Sequence, residues 1–179
     1  MEELLSIKLR PKTLSDIIGQ EHLVSEGKII YNLVKNKKLF SMILCNDLGI
    51  RYRSLNAVVN NKKDFDIVIE EAKMYKGLIV IIDEIHRMNK DKQDILLPYL
   101  ESGLITLIGL TTSNPYHAIN PAIRSRCQLF ELKELNIDNI KEGINKAINS
   151  GYLKNIILED DARDYLALLS GTDLRYAYN

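Results

Sequence analysis

The sequence predicts an α/β fold: a mainly parallel sheet with helices on both faces, followed by an all-helical segment. Three observations predict it. Leu78-Ile79-Val80-Ile81-Ile82 is a continuous apolar run between Gly77 and Asp83-Glu84, as expected of a strand covered on both faces. Other short β-rich runs alternate with stretches of helical spacing up to about Leu132. From Leu135 onward only helical spacing recurs.

Taken in order, Gly27 to Leu39 places Ile29, Ile30, Leu33 and Val34 on one side and lysines on the other, which predicts an amphipathic helix. Met42-Ile43-Leu44-Cys45 follows as a short buried strand, and Arg51 to Val59 reads as a second. Asp64 is the expected N-cap of a helix running to Lys76, ended by Gly77. After the apolar strand, Asn89 to Ser102 reads as one helix with Gly103 as its stop. Leu104 to Leu110 is the next strand, ending in polar Thr111-Thr112-Ser113-Asn114, and Cys127 to Leu132 is a last short one. Helices are expected at Ile137 to Ile148, Glu159 to Leu169 and from Thr172 on. These elements divide the chain into an α/β core, 1–133, and the start of a helical subdomain, 134–179.

Composition bounds the function. The chain has 179 residues, with 24 Lys plus Arg against 24 Asp plus Glu. That balance excludes the strongly basic class that binds nucleic acid or anionic membranes indiscriminately. Lys35, Lys37 and Lys38 cluster, which reads as a solvated face. Two cysteines, Cys45 and Cys127, are too few for a disulfide framework and point to a reducing compartment. No apolar run approaches the roughly 20 residues of a membrane helix, and the Met-Glu-Glu start has no export signal. A cytoplasmic protein without a membrane partner is the expectation.

Candidate chemistry gathers at strand ends. In open α/β sheets, ligands sit outside the carboxyl ends of the strands. Asp83 there can hold Mg²⁺ through water, and Glu84 can orient a water for in-line attack on a γ-phosphate. Taken alone, the same pair reads more readily as a solvated acidic turn. Asn114, beyond the strand at 104–110, can hydrogen-bond that water or the phosphate if the two strands are neighbours. It can also be a turn residue before Pro115. Arg124 and Arg126 stand at the edge of a short strand, where an exposed Arg is usually only solvated, although one at a subunit boundary can complete a neighbour's phosphate site as an arginine finger. Arg175 opens a helix after Gly171, from which an Arg can point back to phosphate. His22, His86 and His117 lack metal-ligand spacing, so no zinc site is expected.

Five segments in this order resemble the AAA+ ATPases. They are Arg10-Pro11 with Ile18-Gly19-Gln20-Glu21-His22-Leu23, Ile82-Asp83-Glu84-Ile85-His86-Arg87, Thr111-Thr112-Ser113-Asn114-Pro115, Ser125-Arg126 and Asp173-Leu174-Arg175. Within that class the chain looks most like the replication-associated recombination protein A family, related to the Werner-helicase-interacting ATPase and similar to clamp-loader subunits. The resemblance implies an ATPase acting on DNA at replication forks, in replication, recombination and repair, with ATP and Mg²⁺ as cofactors. It assigns Ile18 and Gly19 to the adenine pocket, Asp83 and Glu84 to the Walker B pair, and Asn114 to sensor 1. Arg126 matches the arginine finger in trans and Arg175 the sensor 2 arginine in cis. DNA, other AAA+ subunits in a homo-oligomer and replication-fork proteins are partners by resemblance only, as is a nucleoid-associated location. His86, Arg87 and Asn89 match a family signature without a derived role.

One family element is missing. The first strand leads directly into Asn46-Asp47-Leu48-Gly49-Ile50 and the second strand, where relatives carry a glycine-rich loop ending Gly-Lys-Ser or Gly-Lys-Thr and then a helix. No such triplet occurs in the chain. The loop's amides and Lys hold the β and γ phosphates. In the family sheet two other strands separate these two, a diagonal of roughly 20 Å. Five residues span about that only when fully extended. Three readings stay open: an internal stretch of about 15 to 20 residues belongs here; the deletion is genuine and the chain is a non-hydrolysing AAA+ subunit that serves a ring as an interaction partner; or the sheet is rearranged. The chain also stops four residues after Arg175, so a partial helical lid is expected.

Overall fold

The computed structural model describes residues 4–26, 28, 45, 51–153 and 156–179. It divides into two units, Lys37–Phe130 and Met1–Asn36 together with Glu131–Asn179.

The first unit is built on a three-stranded parallel sheet in the order β1 (Tyr52–Asn56), β2 (Leu78–Asp83), β3 (Ile105–Gly109). Register places Asn56 opposite Asp83 and Ile82 opposite Gly109. The uninterrupted apolar run of β2 is accounted for by burial on both faces. Leu78, Val80 and Ile82 join Leu55, Val68, Ala72, Leu96 and Ile123 on one side. Ile79 and Ile81 meet Cys45 and Ile108 on the other. Burying each such side chain stabilises the fold by about 1.5–3 kcal/mol. Burial also pushes the Cys45 thiol up to about 11 and raises that of Cys127, so both sulfurs favour the unreactive thiol form.

Several expectations are corrected. The strand read over 51–59 is only Tyr52–Asn56. Asn60 Oδ1 accepts from the Asn56 amide and Asn56 Oδ1 from Val58, bending the chain into a turn. The helix expected from Asp64 is Lys62–Tyr75 with Asn61 as its N-cap. Asp64 instead closes the capping box, its carboxylate accepting from the Asn61 amide at 2.7 Å. The helix expected at 89–102 is two pieces, Lys90–Asp94 and Leu97–Glu101. Pro98 lacks the N–H that would continue the first piece. No strand forms at 127–132, so the described sheet has three strands. Cys45, the last residue of the expected first strand, is helical. Four apolar residues carry no period that separates a buried strand from a buried helix. The rest of that strand, the helix at 27–39 apart from Lys28, Lys35 to Lys38 and the 46–50 link lie outside the described residues.

The second unit carries helices Ile137–Asn149, Asp160–Ser170 and Leu174–Tyr178, close to the expected spans. Ile140, Ile144 and Ala167 form its core with Leu135, Leu166 and Leu174. Short N-terminal turns, Leu5–Lys8, Leu14–Asp16 and Glu21–Val24, belong to the same unit. Gln20 ties one of them down: its Nε2 donates to the Lys133 carbonyl at 2.7 Å, and its Oε1 accepts from the Lys133 amide at 3.0 Å.

Candidate functional site

In the sheet unit, β2 ends on Asp83 and the chain turns sharply at Glu84, a non-glycine residue in the left-handed region at φ 53°, ψ 39°. Sheet pairing continues around this turn, with Leu110 N donating to Ile82 O at 2.9 Å and Ile85 N to Leu110 O at 3.0 Å. The acids therefore stand at the carboxyl edge of the central strand, flanked by the strand ends at Asn56 and Gly109. Asn56 Nδ2 donates to Asp83 Oδ2 at 3.3 Å and Glu84 N to Asp83 Oδ1 at 3.0 Å. Among the described residues each carboxylate oxygen of Asp83 thus accepts one bond, fewer than the two its lone pairs allow.

Glu84 Oε2 lies 3.2 Å from His86 Nε2, and His86 Nδ1 lies 3.0 Å from Thr111 Oγ1. Asn114 caps the helix Pro115–Ala118, its Oδ1 accepting from Tyr116 N at 2.9 Å. No hydrogen bond among the described residues joins Asn114 to Asp83 or Glu84. Arg126 donates to Ala122 O at 2.7 Å and to Glu101 at 2.5 Å, an exposed ion pair. Arg124 stacks on Tyr116 at 4.9 Å from the ring centroid.

Sequence reasoning missed Gln93, whose side chain is fully buried. Its Nε2 donates to Met88 O at 3.0 Å and Ala118 O at 3.2 Å, while its Oε1 accepts from Asn120 N at 2.8 Å. Gln93 thereby joins the segment after Glu84 to the loop that leads to Arg126. A glutamine within a polar stretch, Lys90-Asp91-Lys92-Gln93-Asp94, carries no signal of burial.

In the helical unit a cavity of about 550 Å³ is lined by Leu9, Arg10, Ile18, Leu135, Arg175 and Tyr178, among others. Gly19 does not line it but shapes its wall. With φ +73° and an added Cβ falling 2.6 Å from Leu135 and 2.8 Å from Asn139, only glycine fits there. Asp16, also on the wall, accepts from the Thr13 and Lys12 backbone amides, which hold its carboxyl below the ordinary range. Asp173 Oδ1 accepts from Arg175 N at 2.8 Å and sets the start of the final helix. Burial raises the Tyr178 hydroxyl, with a smaller contribution from Glu142.

Residues 33–135, more than half of the chain, match the family model described as "ATPase family associated with various cellular activities (AAA)". The chain belongs to the AAA family. It is 47% identical to replication-associated recombination protein A of Bacillus subtilis, covering 98% of this chain and 46% of that one. It is 36% identical to ATPase WRNIP1 of Dictyostelium discoideum, covering 98% and 22%. This AAA chain spans less than half the length of either relative. Among solved structures, the Thermotoga maritima RuvB Holliday junction branch migration motor matches with TM-score 0.75 and 25% identity, over 95% of this chain and 63% of that one. The parallel α/β sheet with a helical C-terminal part is therefore an AAA fold, as the sequence predicted. The alignment to the Bacillus relative runs over 194 positions, whereas 98% of 179 residues is about 175, leaving about 19 positions without a residue in this chain.

Among the described residues no helix is long and apolar enough to cross a membrane.

Proposed function

We propose that this chain is the ATPase region of a replication-associated recombination protein A-like protein, coupling ATP hydrolysis to action on DNA in replication, recombination and repair. The observation that carries the proposal is the pair Asp83-Glu84 at the carboxyl edge of the central strand, beside the loop leading to Asn114. In this reading Glu84 orients the attacking water, Asn114 contacts the γ-phosphate, and Arg126 serves a neighbouring subunit's nucleotide. Ile18, on a wall shaped by Gly19, takes the adenine, and Arg175 reaches phosphate in cis. Replication-fork proteins and further AAA subunits are the partners it implies.

The donor set suits Mg²⁺. No three His, Cys, Asp or Glu converge among the described residues, and Mg²⁺ characteristically uses one or two carboxylates with waters and phosphate oxygens rather than a protein cage. Asp83 would hold it through water on its carboxylate oxygens. Bound there, the ion neutralises phosphate charge. The protein's own part is positioning: Asn56 and the Glu84 amide fix the Asp83 carboxylate, and the β2–β3 pairing fixes the loop before Asn114.

The positions without a counterpart bear on affinity. We assign them to the link after Cys45, where the family's phosphate loop belongs. The chain with its given sequence is therefore expected to bind ATP more weakly than the micromolar range in calorimetry. Inserting a segment of about 19 residues bearing Gly-Lys-Thr between Cys45 and Asn46, a length within the scale of a loop plus helix, should bring micromolar binding. It should also confer Mg²⁺-dependent hydrolysis that Glu84→Gln abolishes. Micromolar affinity of the uninserted chain would overturn the first expectation. An inserted chain that folds but neither binds nor hydrolyses ATP would overturn the functional reading.

A further inference from the structure

Two members of the relay Glu84–His86–Thr111, His86 and Thr111, have no part in the roles assigned above. His86 follows Glu84 in the 3₁₀ turn Ile85–Arg87, and its side chain is 12% exposed against 34% for Glu84. The ring thus approaches the acid from the protein side. An ionised carboxylate only accepts hydrogen bonds. Nε2 lies 3.2 Å from Glu84 Oε2; a proton on Nε2 makes that contact attractive and, in a neutral ring, leaves Nδ1 as an acceptor. Its neighbour at 3.0 Å is the Thr111 hydroxyl. That hydroxyl has one proton and two acceptors in reach, His86 Nδ1 at 3.0 Å and Ser113 O at 3.2 Å. The tautomer that serves Glu84 directs the proton to Nδ1. Thr111 also accepts from Ser113 N at 3.0 Å, so it belongs rigidly to the loop that ends in Asn114.

We infer that His86 is a positioning residue that ties the Glu84 carboxylate to the Asn114 loop through Thr111. The inference rests on the ATPase reading for its functional meaning, but the relay itself is a property of the nucleotide-free chain. A shift of the loop on contact with a terminal phosphate passes to Glu84 through one imidazole, without passing through the strand backbone. A free-swinging glutamate would sample many directions; the imidazole holds one.

Nitrogen-15 shifts of the histidine rings test the relay without nucleotide. The three histidines, His22, His86 and His117, are assigned by single substitution. The expected result is a His86 ring protonated at Nε2 with a hydrogen-bonded Nδ1, whose Nδ1 shift moves in Thr111→Val and whose Nε2 shift moves in Glu84→Gln. A ring protonated at Nδ1 alone, or one unmoved by both substitutions, would overturn the relay. Turnover at saturating ATP in the chain carrying the inserted phosphate loop gives the functional readout. His86→Ala should lower kcat about tenfold, a modest misplacement effect, with KM for ATP unaltered. His86→Gln, which keeps an N–H at similar reach, should recover part of the loss. An unchanged kcat, or a KM that rises in parallel, would count against positioning. Complete absence of hydrolysis by the unsubstituted parent would count against the ATPase reading, and the ring shifts would still decide the relay.

Discussion

Gln93→Leu is expected to lower the unfolding free energy by about 3 kcal/mol, although the side chains are close in volume and Leu is the more apolar. Gln93 is 0% exposed, and its amide serves three backbone groups: the carbonyls of Met88 and Ala118 and the amide of Asn120. Leucine satisfies none of them. Each buried polar group left without a partner costs about 1–3 kcal/mol, and partial relaxation toward solvent recovers some of that. The loss is read as a lower urea midpoint with an unchanged slope. The damage should concentrate on the loop carrying Arg126, since Gln93 holds both Ala118 and Asn120. A change below about 1 kcal/mol would show that water or neighbouring side chains replace the amide.

Ile82→Ala should cost about 3–4 kcal/mol by a different route, loss of packing. Ile82 is 0% exposed at the centre of the main core cluster, one residue before Asp83. Its removal leaves a cavity between a strand and its covering helices, elements that cannot close the gap without breaking β-pairing. For a chain of this size the loss corresponds to a fall of roughly 10 °C in Tm. Ile67→Ala serves as the control. Ile67 is 64% exposed on the helix 62–75, so its change should be well under 1 kcal/mol. Equal losses at the two positions would mean that β2 is not the packed centre of the sheet.

The sheet was legible because β2 has an unambiguous signature: five apolar residues in a row, buried on both sides, cannot belong to a half-solvated strand. The helical end was legible from its 3.6-residue period. What escaped were features set by single atoms. Asn61 rather than Asp64 caps the helix 62–75, because both are good cap residues three apart and only the backbone decides which takes which role. The break within 90–101 turned on Pro98, which a periodicity count passes over. Cys127 to Leu132 has strand-like composition, but composition does not provide a pairing partner. At the site, Asp83, Glu84 and Asn114 could be picked out from strand ends. Asn56, Thr111 and Gln93 could not, since their importance lies in a partner distant in sequence: Asp83, His86 and the Asn120 backbone.

The left-handed backbone at Glu84 sets folding against the chemistry proposed for that residue. An L-residue with a Cβ pays about 1 kcal/mol or more there, a strain that glycine escapes and asparagine softens. Lys76 shares the geometry, but as a helix C-cap, where that conformation ends the helix. Glu84 instead stands at the turn between β2 and the 3₁₀ turn Ile85–Arg87. A library randomised at residue 84 and sorted for heat resistance alone should therefore enrich glycine and asparagine over glutamate, returning sturdier proteins that have lost the carboxylate.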